Sequence, residues 1–188
     1  MQIVLSSALV VALAEIGDKT MLLAIVLAGR FRAPAPIIAG IFTATILNHA
    51  LAAWVGSAVA GLLDGFWFRL AVALGFFAMA LWILRPDEVD EQDAGPSRYG
   101  AFLTTTVAFF AAEMGDKTQV ATVALGAQHH AVGLVAVGTT LGMMLANVPA
   151  VYFGDRMTQL VPLRYVRLGA ALLFLGIGAW GLAALYRG

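Results

Sequence analysis

Two short strings hold most of the chemistry in this sequence: Ala14–Thr20, reading AEIGDKT, and Ala112–Thr118, reading AEMGDKT. Each places two carboxylates and an ammonium inside a long apolar stretch. An ionisable group at the centre of a membrane span costs about 2.5–3.5 kcal/mol on insertion scales, so three per string point to function. On a continuous helix, Glu15 and Asp18 would share a face, as would Glu113 and Asp116. If the two faces meet, four carboxylates converge on one point. Oxygen-rich clusters of this kind suit hard divalent cations, and the absence of cysteine rules out thiolate ligands. Thr20, Thr118 and Gln119 could contribute neutral oxygens. Gly17 and Gly115 weaken the helix between the acids, and a local break there would free carbonyl oxygens.

The lysines belong to the same problem. Four buried carboxylates repel one another, and Lys19 and Lys117 would offset half of that charge when no cation is bound. Proton uptake by crowded, desolvated acids would also do so. The sequence leaves both routes open. Protons and metal would compete for the same oxygens, which is the physical basis of antiport. An acid–lysine pair can also be a structural tie between helices, but a tie would not need the same glycine and threonine twice.

These residues must be positioned by membrane-spanning helices. The chain has 188 residues, 61% hydrophobic and 12% charged, against about 25% charged in soluble domains. A span needs about 20 mainly apolar residues. Six segments qualify or come close: Ile3–Ala28, Pro36–Ala60, Phe66–Leu84, Tyr99–Ala127, Val132–Phe153 and Tyr165–Tyr186. Aromatic and basic residues gather at their ends (Trp67 and Arg69, Arg98 and Tyr99, Tyr165 and Arg167, Tyr186 and Arg187), as interfacial anchoring requires. Met1–Val11 lacks the basic start of a secretory signal and reads as part of a retained first span. The one water-loving connector, RPDEVDEQDAGPS, suits a solvated linker.

Adding 98 to the number of Glu15, Gly17, Asp18, Lys19 or Thr20 lands on Glu113, Gly115, Asp116, Lys117 or Thr118. The same shift carries Gly40 to Gly138, Gly56 to Gly154, Arg69 to Arg167, Phe76 to Phe174 and Trp82 to Trp180. A constant offset over this distance marks an internal duplication. Each copy has three spans, an odd number, so the second must enter the membrane upside down. The expected fold is an all-α membrane protein: six transmembrane helices as two inverted three-helix repeats. The repeats are residues 1–84 and 99–188, joined by an acidic linker, 85–98. With both termini on one side, Arg30, Arg32, Arg85, Arg98, Arg156, Arg164 and Arg167 fall on the other. Only Arg69 and Arg187 stay with the termini. The positive-inside rule then puts both termini outside and the linker in the cytoplasm.

Other polar residues say less. His49 and Asn147 are equivalent under the shift, and either could line the pathway or join two helices by a hydrogen bond. His129 and His130 read as a solvated outward connector. The zero net charge gives no footprint for nucleic acid. An intramembrane metal hydrolase would call for a His-rich set such as HExxH, and none occurs. An exporter of amino acids or other small organic solutes is the alternative transporter, but clustered acids fit a cation better.

At this point the sequence resembles a known family. Paired E-x-G-D-[KR]-[ST] motifs on the first and fourth of six spans are similar to those of the manganese/calcium–proton exchangers. That family has Golgi members in eukaryotes and manganese exporters in bacteria, and it resembles the wider cation/calcium exchangers. The resemblance covers essentially the whole chain. It implies export of Mn²⁺, or of Ca²⁺ in some members, by alternating access against inward proton movement. Glu15, Asp18, Glu113 and Asp116 would bind the cation. No cofactor is implied, because the metal is cargo. The expected partners are divalent cations, protons and the lipid bilayer, and a homo-oligomer is compatible with the sequence. The short linker suits a prokaryotic cytoplasmic membrane protein.

Overall fold

In the computed structural model the described residues are 1–62, 65–85, 99–154, 156 and 163–185. Apart from Arg85, the acidic linker lies outside them, as do Arg98, Tyr186 and Arg187. The described residues are helical almost throughout: α1 (Gln2–Glu15), α2 (Lys19–Phe31), α3 (Pro34–Leu62), α4 (Phe66–Trp82), α5 (Gly100–Glu113), α6 (Lys117–His129), α7 (Val132–Phe153) and α8 (Leu163–Leu185).

Three of these, α3, α7 and α8, are long and apolar enough to cross a membrane. Helices α1, α4 and α5 are shorter apolar helices. The first and fourth hydrophobic segments differ from the continuous helices that a shared Glu–Asp face would require. Each is two helices in series, broken between its glutamate and its aspartate. At 1.5 Å per residue, the 14 residues of α1 and 13 of α2 extend about 21 and 20 Å. The break therefore falls near the middle of a hydrocarbon core of about 30 Å.

The ends of these helices are chemically defined. Arg32 adopts the left-handed conformation (φ +49°) after α2, and its N–H closes onto the Ala28 carbonyl. Pro34 then opens α3, where its missing N–H costs nothing. His130, 98 residues after Arg32, repeats this left-handed stop (φ +51°), with its N–H on the Gly126 carbonyl. His130 is exposed and His129 is the half-buried last residue of α6.

Helices of the two halves pack against each other: α1 against α7, α3 against α5 and α6, and α4 against α8. Small residues allow the closest approaches, as is usual between membrane helices. A Cβ added at Gly40 in α3 would lie 2.8 Å from both the Phe102 carbonyl oxygen and the Thr105 Cβ of α5. One added at Gly138 in α7 would lie 2.6 Å from the Val4 carbonyl oxygen and 2.9 Å from the Ser7 Cβ of α1. All three pairs of positions (40 and 138, 102 and 4, 105 and 7) differ by 98. Phe76 and Phe174, equivalent in the same way, meet with ring centroids 6.1 Å apart. Large apolar side chains such as Leu9, Trp54, Leu141 and Trp180 face outward, which suits a lipid solvent.

Candidate functional site

Each break is a four-residue turn of one design. Ile16 (φ −63°, ψ 113°) precedes Gly17 (φ +84°), and the Asp18 N–H bonds the Glu15 carbonyl at 2.9 Å. Met114 (φ −66°, ψ 115°) precedes Gly115 (φ +79°), and the Asp116 N–H bonds the Glu113 carbonyl at 3.1 Å. These angles are those of a type II β-turn, whose third residue must tolerate positive φ. Glycine between the acids is therefore a geometric requirement. Glu15 and Asp18 belong to different helices, so a shared helical face does not relate them. Glu15 ends α1, and Asp18 occupies the N-cap of α2, where its Oδ1 accepts from the Lys19 N–H at 2.8 Å. A carboxylate there meets the positive end of the helix dipole.

The two turns are joined directly by the ion pair between Asp18 of one and Lys117 beside the other. Glu15 and Glu113 are completely buried, and Asp18, Asp116 and Lys117 nearly so. Among the described residues, these motif groups are the buried charges. Thr20 donates to Glu15 Oε1, and Thr118 donates to Glu113 Oε2 at 2.6 Å. In each repeat the motif threonine thus fixes its own glutamate.

A polar residue of the other repeat lies beside each glutamate, hydrogen-bonded to Glu15 but not to Glu113. Asn147 on α7 donates to Glu15 Oε1 at 3.1 Å and also to the Met143 carbonyl at 3.0 Å. The equivalent His49 on α3 stands with Nε2 3.9 Å from Glu113 Oε2. Both residues, expected either to line a pathway or to join helices, thus reach the glutamates. Glu15 Oε2 and Glu113 Oε1 find no hydrogen-bond partner among the described residues. An unpartnered buried carboxylate oxygen is costly, so these are the free valences of the site.

Among the described residues, no three His, Asp or Glu side chains stand close enough together to share an ion. An ammonium lies between the two halves: Lys117 Nζ is 2.9 Å from Asp18 Oδ1, and its charge also acts on Asp116. Lys19 is only half-buried. Gln119 is a strut. Its Oε1 accepts from the Gly115 N–H at 2.6 Å, and its Nε2 donates to Asn48. Met21 occupies the equivalent place, and its sulfur accepts from the Gly17 N–H at 3.4 Å. Sequence reasoning passed over Met21, because a methionine aligned with a glutamine looks like a lost match. It also passed over Asn48, and Leu163, whose Cδ2 would lie 2.9 Å from a Cβ at Gly17.

A family model described as "Divalent cation/proton antiporter GDT1" matches residues 3–91 and 101–188. A protein of Vibrio cholerae named "Putative manganese exporter" is 51% identical over 176 residues, covering 93% of this chain and 88% of that protein. GDT1-like protein 4 of Oryza sativa subsp. indica is 31% identical over 192 residues, covering 88% and 68%. GDT1-like protein 3 of Arabidopsis thaliana is 28% identical over 198 residues, covering 91% and 67%. No solved structure matches.

Proposed function

This chain belongs to the GDT1 family of divalent cation/proton antiporters, and on that premise we propose that it exports Mn²⁺ in exchange for protons by alternating access. It is a membrane transporter and not an enzyme, and the metal enters as substrate. The reading rests on one observation above the others. Two equivalent turns each hold a buried glutamate with one unpartnered oxygen, and each glutamate is reached by a polar residue from the opposite repeat. A cation that draws together Glu15, Asp18, Glu113 and Asp116, which stand too far apart in this structure to share an ion, would join the halves, and protons would displace it from the same oxygens. Thr20 and Thr118 orient the glutamates. The C-terminal ends of α1 and α5, carrying partial negative charge, favour a cation at the breaks.

The preference for Mn²⁺ over Ca²⁺ draws on the name of the Vibrio cholerae relative and on His49. An imidazole beside Glu113 suits a transition-metal ion better than Ca²⁺, which takes oxygen ligands.

The architecture that serves this cycle is six spans in two inverted repeats, α1–α2, α3 and α4 against α5–α6, α7 and α8. The reciprocal contacts at Gly40 and Gly138 support it. So does a cavity of about 390 Å³ whose lining includes Ala60, Arg69, Ala127, His130 and Leu185, because these residues bring the ends of α3, α6 and α8 to one side. That side is the outer one by the arginine asymmetry, which leaves both termini outside and the linker in the cytoplasm of a bacterial inner membrane. Rocking of the repeats would expose the central turns to each side in turn.

The test is flux in proteoliposomes under an imposed pH gradient, with Mn²⁺ and Ca²⁺ offered singly and together. Gradient-driven Mn²⁺ movement that Ca²⁺ inhibits only weakly is expected. Flux indifferent to the gradient would contradict the exchange, and preferred transport of Ca²⁺ would overturn the substrate assignment.

A further inference from the structure

We propose that Lys117 is a tethered stand-in for the transported cation: its ammonium holds Asp18 while the carrier is without metal and must release that carboxylate for a divalent ion to bind. This rests on the cation site proposed above and identifies what neutralises it between cargoes.

Lys117 opens α6 in the second repeat, whereas Asp18 caps α2 in the first. Their 2.9 Å ion pair therefore ties the two motif turns together, and both side chains are buried. The same ammonium acts on Asp116. A divalent ion bridging the turns would need these two carboxylates. An ammonium and a metal ion cannot share one carboxylate at such range without strong repulsion, which a buried site leaves poorly screened. Binding of each thus weakens binding of the other.

The duplication supplies two lysines but the structure uses them unequally. Lys19 is half-buried, whereas Lys117 is buried and paired across the repeats with Asp18. Lys117 is thus the buried ammonium of the pair, and it has a use in the cycle. Returning a site with uncompensated carboxylates through the low-dielectric core is unfavourable, and Lys117 lowers that charge. Its effect should therefore divide between affinity and turnover: it weakens metal binding and, by carrying part of the compensating charge beside the bound protons, speeds return of the metal-free, proton-loaded carrier. Lys117 is a positioning residue that acts through Asp18.

The experiment uses the full chain in lipid nanodiscs, titrated with Mn²⁺ at alkaline pH, and in proteoliposomes for initial rates. Lys117→Gln should bind Mn²⁺ about fivefold or more tightly, the lower end of ordinary coupling between sites. It should lower KM and lower kcat together. Lys19→Gln should shift the affinity less. Lys117→Arg should weaken Mn²⁺ binding, because a guanidinium grips a carboxylate more persistently through two parallel bonds. A purely structural tie would lower thermal stability without tightening metal binding. Unchanged or weaker Mn²⁺ binding by folded Lys117→Gln would overturn the proposal. If that variant does not fold, Mn²⁺ affinity in Lys117→Arg equal to or above the parent's would overturn it. Asp18→Asn separates the two readings. If Asp18→Asn binds Mn²⁺ as the parent does, the cation site falls and this inference with it. An Asp18-dependent site indifferent to Lys117 removes the inference alone.

Discussion

Replacing Gly115 with alanine isolates the contribution of the broken helix. Gly115 has φ +79°, and a Cβ built there meets nothing within 4 Å. The substitution therefore adds backbone strain with no collision. A residue with a Cβ costs about 1–2 kcal/mol in the left-handed region. That amounts to a fall of about 5–30-fold in the population of the turn relative to competing conformations. Gly17 is a less clean probe, because its Cβ would also press on Leu163 Cδ2 at 2.9 Å. The assay is the initial rate of Mn²⁺ uptake below KM in proteoliposomes, where rate follows the competent population. Gly115→Ala should lose about 5–30-fold, and Gly115→Asn should lose less because asparagine tolerates positive φ. A continuous helix gives the opposite sign, since alanine in a helix interior is about 0.8–1.0 kcal/mol better than glycine. Uptake by Gly115→Ala equal to or above the parent's would therefore refute the turn as the working conformation.

Three further outcomes follow from the geometry. Asn147→Ala removes a buried donor from Glu15 and should cost about 1–3 kcal/mol in thermal unfolding. Asn147→His and His49→Asn, which copy one repeat into the other, should be milder, and an equal loss in all would argue against equivalence. Gly40→Ala and Gly138→Ala should each lose about 1–3 kcal/mol by overpacking. Gly75→Ala, with open space around its Cβ, should stay within about 0.5 kcal/mol. The chain has no cysteine, so His130→Cys and Arg32→Cys can report orientation. An impermeant thiol reagent should label the first in intact cells and the second only after permeabilisation.

Much of this organisation was legible because the duplication preserves chemistry along with sequence. A constant offset of 98 pairs Gly40 with Gly138 and Phe76 with Phe174, and the structure places each pair in equivalent contacts. Hydrophobic run lengths gave the limits of α3 and α7 closely, since lipid demands long unbroken apolar helices there. The broken segments were less legible. Apolar stretches flank the two motifs on both sides, so hydropathy alone reads through them, and a continuous helix would put Glu15 and Asp18 on one face. The glycines did point to a local break between the acids, but only the backbone angles show that it is a type II turn. The unequal lysines were invisible, because identical letters in both motifs conceal different burial. Met21 and Gln119 show the reverse. Two unlike side chains accept the same hydrogen bond, which no comparison of letters would detect.

The central claim is that two half-sites bind one cation between them. Calorimetric titration of Mn²⁺ into the nanodisc-held protein, with Glu15→Gln, Glu113→Gln and the double variant beside the parent, tests it most directly. One shared site predicts a single ion per chain in the parent, and loss of binding in either single variant that the double variant does not deepen. Two ions per chain, or a single variant that keeps half the binding capacity at parental affinity, would contradict it.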